Sequence, residues 1–209
     1  MPDMHDKRVK AITARMTAPG APFEVIEIER RGARMLAFRD APEHLPALFD
    51  RYQPNFESGY TPPEIEKART FVAKPDWDAM LRDTQAAIDA VKSVGPVGII
   101  GFCLGGSIAF VAATRLSGLK AAIGYYGGAV VRFADEKPKV PTQLHFGEKD
   151  AGIPLTDVET IKAKRPDVEV FVYPGAQHGF HCDERASYDK ASADIAWPRS
   201  MEFFAKHLR

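Results

Sequence analysis

Between Val97 and Phe110 the chain reads VGIIGFCLGGSIAF, two apolar runs joined through a cysteine set among glycines. A continuous apolar stretch such as VGII suits a strand buried on both faces of a parallel sheet. The run after the cysteine, LGGSIAFVAATRL, reads as a helix. A strand that passes into a helix at a single residue forces that residue into a strained conformation, and side chains two positions away on either side would collide. Glycine at 101 and 105 removes the collision. Cys103 is thereby lifted to the carboxyl edge of the sheet and to the positive end of a helix, a setting that lowers a thiol's pKa from its ordinary value. The same pattern also fits a plain strand-to-helix turn holding an inert thiol, so the rest of the chain has to discriminate.

The surrounding pattern supplies the layers. Before the hinge, PFEVIEIERRGARMLAFRD alternates apolar and polar residues on both sides of Arg31–Gly32, the signature of a peripheral hairpin with one face wet. LPALFDRYQPNFESGYTPP, rich in aromatics and prolines, reads as irregular chain over a surface. Apolar residues then recur at three and four from Pro63 to Val72 and from Trp77 to Val94, predicting two helices. After the hinge helix, LKAAIGYY, PTQLHFG and VEVFVYP repeat the strand signal, LTDVETIKAKR supplies another helix, and a last helix over 191–208 is expected to break near Pro198. Strands alternating with helices predict an α/β fold: a mostly parallel central sheet with helices on both faces, an N-terminal β-hairpin, and ligand groups at the carboxyl ends of the strands.

Bulk properties narrow the partners. At 209 residues and 45% hydrophobic content the chain fits one domain, 1–209, with 1–21 expected as a flexible extension. Lys plus Arg and Asp plus Glu number 28 each, so no global field favours nucleic acid or an anionic membrane. A small-molecule partner is expected, with a homo-oligomer left open. Two cysteines are too few for a disulfide framework, and the N-terminus has no apolar leader pattern, which together suggest a cytoplasmic protein.

Two further residues fall where a thiol nucleophile needs them. LHFGEKDAGIP places Asp150 just beyond a strand, and VYPGAQHGFHC places His178 in a Gly-flanked loop after the next. Nucleophile, acid, histidine is the chain order of α/β-hydrolases, in which the imidazole relays protons and the acid holds its tautomer. HGFHC also has ligand-type spacing, so a metal held by Cys103, His178, His181 and Cys182 is a weaker alternative; no metal or cofactor is expected. His145 reads as a satisfied core residue.

Through GFCLGG, AAIGYYGG, LHFGEKDAGIP, FVYPGAQHGF and CDERASYD, residues Leu45 to Arg209 resemble the dienelactone hydrolase (carboxymethylenebutenolidase) family. The resemblance implies an α/β-hydrolase-like fold and a cysteine hydrolase in which Cys103 attacks a lactone or ester carbonyl, His178 is general base and acid, and Asp150 orients it. It implies the backbone N–H of Leu104 as one oxyanion donor, and Arg51 in LFDRY as one of two arginines that bind a substrate carboxylate. Tyr125 in GYYGG is a further substrate-pocket candidate. The second arginine position holds Cys182 here, with Arg185 nearby but unmatched, which favours a broader ester or lactone range, including that of a general carboxylesterase or thioesterase. The family's buried strand and helix between hairpin and LPALFDRY find no room between Asp40 and Leu45. That piece carries the second oxyanion donor and a glutamate that the resting cysteine contacts; Glu27 is a weak substitute, since FEVIEI alternates like an edge strand. A binding protein that keeps only the hinge is the non-enzymatic alternative.

Overall fold

The computed structural model describes residues 26–29, 34–37, 53, 61–92 and 95–208. The expected N-terminal extension, Arg51 and most of the irregular segment from Leu45 to Pro63 lie outside them.

Among the described residues six strands form one sheet in chain order: β1 (Ile26–Glu29), β2 (Arg34–Ala37), β3 (Val97–Phe102), β4 (Leu119–Tyr125), β5 (Thr142–Gly147) and β6 (Glu169–Tyr173). β3 to β6 are mutually parallel, while β1 and β2 form an antiparallel hairpin. The hairpin is less peripheral than its alternation suggests, because β2 pairs antiparallel with β3 in the register Met35↔Gly101, Leu36↔Ile100, Ala37↔Ile99. The physical reason is the second edge of β3: Val97, Ile99 and Ile100 are at most 3% exposed, and backbone groups at that depth need partners on both sides. Among the described residues β1, which carries Glu27, is the edge strand, as its alternation predicts.

Helices cover both faces. α1 (Pro62–Val72) and α2 (Trp77–Val91) precede β3, and Asp76 caps α2 by accepting from the Ala79 N–H at 2.9 Å. α3 (Leu104–Arg115) follows the hinge and is buried from Gly105 to Thr114, as an all-round apolar helix should be. Its first turn presses on the sheet: a Cβ on Gly106 would lie 2.4 Å from the Tyr125 carbonyl oxygen, and one on Gly124 would lie 2.8 Å from that of Gly106. α4 (Leu155–Lys164) links β5 to β6, and α5 (Lys190–His207) closes the fold on the other face, where Phe204 and Leu208 crowd Gly98.

α5 does not break at Pro198 but runs through it. Proline there costs one backbone hydrogen bond, and the helix is held by burial of Ala193, Ala196, Ser200, Phe203 and Phe204 along one side. A polar clamp adds to this. The Tyr125 hydroxyl donates to the Ala196 carbonyl at 3.1 Å and lies 2.7 Å from Ser200 Oγ. His145 is the satisfied core residue expected of it, with Nδ1 2.8 Å from the Tyr173 hydroxyl and Nε2 2.8 Å from Gln143 Oε1. Among the described residues no helix is long and apolar enough to cross a membrane.

Candidate active site

Cys103 occupies the hinge itself, at φ 55° and ψ −118°, where a non-glycine backbone is strained. A Cβ on Gly101 would sit 2.0 Å from the Gly105 carbonyl oxygen, so the glycine at 101 is obligatory. The hinge is pinned from below by the Cys103 N–H, which donates to the Tyr125 carbonyl at 3.0 Å, and from above by Ser107 N–H donating to the Cys103 carbonyl at 3.2 Å.

The loops after β5 and β6 bring the partners. Asp150 follows β5; its carboxylate is buried, one oxygen accepting from the Gly152 N–H at 2.9 Å and the other lying 2.7 Å from His178 Nδ1. His178 follows β6, and its Nε2 lies 3.2 Å from the Cys103 sulfur. The loop beyond is fastened by Ser187 Oγ donating to the His178 carbonyl at 2.7 Å, and by Phe180, fully buried against Tyr126 and Tyr173. Since Nδ1 faces an acceptor oxygen of Asp150 it carries a proton, which leaves Nε2 to accept from the thiol or, once protonated, to donate to a thiolate.

Cys103 is exposed at the carboxyl edge of the sheet. Desolvation pushes its pKa up, but the hydrogen bond and charge of His178, the charge of Arg185 and a hydrogen bond from the Leu104 N–H together hold it below the thiol's usual value. His178 shows the complement: burial works against its cation, while Asp150 and Cys103 raise it to about 9. The two groups titrate as a pair, and the charged thiolate–imidazolium form occupies the window below about pH 9, down to the lowered thiol pKa. Alkylation of Cys103 by iodoacetamide is therefore expected to stay fast at pH values where an ordinary thiol, with a pKa of about 8.5, is largely protonated. In His178→Asn the acid limb of that pH–rate profile should move up toward the ordinary thiol value; an unmoved limb would show that His178 does not set the thiol's ionisation.

Of the residues singled out in the sequence, Cys103, Asp150, His178 and Leu104 converge here. Tyr125 is corrected: it is fully buried, its ring stacked 4.3 Å from His145 and its hydroxyl directed into α5, so its side chain lines the core and only its carbonyl serves the hinge. The next residue, Tyr126, faces His178 instead, with ring centroids 5.0 Å apart. Two tyrosines in succession at a strand end leave the face of each undetermined by composition alone. Arg185, unmatched in sequence, lies across Gly179: a Cβ on that glycine, itself at φ 77°, would meet the Arg185 side chain at 2.7 Å. The four-residue metal set does not assemble among the described residues; Cys103 and His178 engage each other, and the His181 ring packs on Phe102, Tyr125 and Trp197.

A parallel sheet flanked by helices, with a cysteine on a strained strand-to-helix hinge and a histidine and an aspartate on the loops after later strands, has the architecture of an α/β-hydrolase. The relatives narrow this. The chain matches the dienelactone hydrolase family over residues 44–208 and belongs to it. It is 37% identical over 183 residues to a candidate carboxymethylenebutenolidase of Synechocystis sp., an alignment covering 78% of this chain and 74% of that protein. It is also 37% identical to a candidate carboxymethylenebutenolidase of Yersinia pestis, over 52% of this chain and 46% of that one. The crystal structure of a candidate dienelactone hydrolase from Klebsiella pneumoniae superposes with a TM-score of 0.68 at 26% identity, covering 88% of this chain and 99% of that one. A dienelactone hydrolase from Anabaena variabilis shares the fold, with a TM-score of 0.56 at 16% identity over 90% and 98% of the two chains.

Proposed function

We propose that this protein is a cysteine hydrolase that cleaves a small lactone or carboxylic ester through Cys103, His178 and Asp150. The observation that carries the reading is the hydrogen-bonded line from Asp150 through His178 to the sulfur, at 2.7 and 3.2 Å, ending on a strained hinge. His178 Nε2 holds the proton taken from the thiol while the thiolate adds to the carbonyl carbon. The Leu104 N–H, already directed at the sulfur, is within reach of the developing oxyanion. Collapse of the tetrahedral species expels the alkoxide, which takes the proton from His178. A water deprotonated by the same nitrogen then attacks the thioester, releasing the acid and restoring the thiol. Asp150 keeps the imidazole in the tautomer that both half-reactions need. Arg51 remains the candidate partner for a substrate carboxylate, and the positive charge of Arg185 beside the nucleophile suits an anionic substrate equally well.

The second oxyanion donor sets the expected rate. Because β2 runs antiparallel to β3, the backbone beside the hinge is the start of a strand, near Met35, where the family places the end of a parallel one. A donor displaced from its position typically costs about 10²–10³ in kcat. Hydrolysis of p-nitrophenyl acetate and of a small unsaturated lactone, measured beside the Klebsiella relative, should therefore be detectable but slower by roughly that factor. No hydrolysis of either compound would overturn the reading, and rates equal to the relative's would overturn the account of the oxyanion hole.

A further inference from the structure

Two non-glycine residues among those described have a left-handed backbone, Cys103 at φ 55° and Tyr126 at φ 38°. Each comes directly after a strand, Cys103 after β3 and Tyr126 after β4. Each donates its N–H to a carbonyl of the next strand in the sheet, Cys103 to Tyr125 at 3.0 Å and Tyr126 to His145 at 2.7 Å. β4 thus ends in a second hinge beside the first. Strain at Cys103 is explained by presentation of the sulfur, but Tyr126 is not a nucleophile here, and a bulky residue is a genuine outlier at positive φ. Such strain persists only where the surroundings over-determine it. The following residue shows how: a Cβ on Gly127 would lie 2.7 Å from the Ser107 nitrogen and 2.8 Å from the Gly106 carbonyl carbon, so the chain leaving Tyr126 is wedged against the first turn of α3.

The result of the strain is the direction of the ring. Tyr126 is 3% exposed, with its ring 5.0 Å from the His178 imidazole at 59°, 5.5 Å from Phe180 at 72° and 6.1 Å from Phe102. Among the described residues three groups meet the imidazole, Cys103 from the hinge, Asp150 from the loop after β5 and this ring from the tip of β4, while Arg185 lies across the neighbouring Gly179.

We propose that Tyr126 is a positioning residue for His178, its ring forming the wall that keeps the imidazole in line between Asp150 and Cys103. Held in that line, Nε2 stays against the sulfur, and the same wall thereby favours the imidazolium–thiolate pair that forms when the sulfur loses its proton. The inference rests on the hydrolase reading above, and the test separates the two. Tyr126→Leu and Tyr126→Phe are compared with the wild type by ester kinetics and by the pH dependence of Cys103 alkylation. The Leu variant is expected to lose about tenfold in kcat, which is about 1.4 kcal/mol, with KM within about twofold and the acid limb of alkylation moved to higher pH. The Phe variant, which keeps the ring, should match the wild type in both. Where the Leu variant fails to fold, Tyr126→Gly removes the ring while accepting the left-handed backbone, and the same losses are expected of it. Wild-type kcat and an unmoved alkylation limb in the ring-less variant would overturn the proposal, as would a Phe variant as impaired as the Leu one. A wild type without turnover would defeat the hydrolase reading, yet the alkylation comparison would still decide whether Tyr126 acts on His178.

Discussion

Asp150→Asn is expected to lower ester kcat by about 10³–10⁴ while leaving the fold and KM nearly unchanged. The buried carboxylate makes two hydrogen bonds, from His178 Nδ1 and from the Gly152 N–H. Asparagine can keep the Gly152 bond through its carbonyl oxygen, so the turn survives. Toward His178, however, its amide presents N–H donors that favour an unprotonated Nδ1 and push the proton onto Nε2, the nitrogen that must accept from the thiol. The thermal midpoint should shift by only a few degrees, as the change is isosteric and the chain's packing is untouched. Rescue by Glu148 is not expected, since its carboxylate already accepts the Gly175 N–H of the loop after β6 at 2.9 Å. Full activity in the variant would show that another group holds the imidazole.

The hinge was legible because its residues admit few other uses. Gly101 tolerates no Cβ, and a cysteine two residues on from it, between a doubly buried strand and an all-round apolar helix, has one conformation open to it. Asp150 and His178 were legible from their place after strands, because parallel strands deliver all their carboxyl ends to one edge. Less could be read where a position's meaning depends on partners distant in sequence. Which tyrosine of GYYGG faces the site is decided by the left-handed turn at Tyr126, itself fixed by close contact with α3. The hairpin's alternation is true of β1 and β2 alike, yet only β1 is at the edge, because the free side of β3 had to be paired. Pro198 signalled a break that burial of the flanking α5 side chains overrides. Arg185 reaches the site by folding back over Gly179, a path that spacing from His178 does not indicate.

Whether Cys103 is the nucleophile is read from the mass of the acyl-enzyme. Wild type mixed with a slowly deacylating aromatic ester and quenched in acid should carry one acyl group, mapped by peptide sequencing to Cys103 and not to Cys182, which is only partly exposed. Cys103→Ala should carry none and should lose at least about 10⁴-fold in turnover, since removing a nucleophile leaves only binding and oxyanion stabilisation. Turnover retained in Cys103→Ala, or an acyl group found on any other residue of the wild type, would contradict the account.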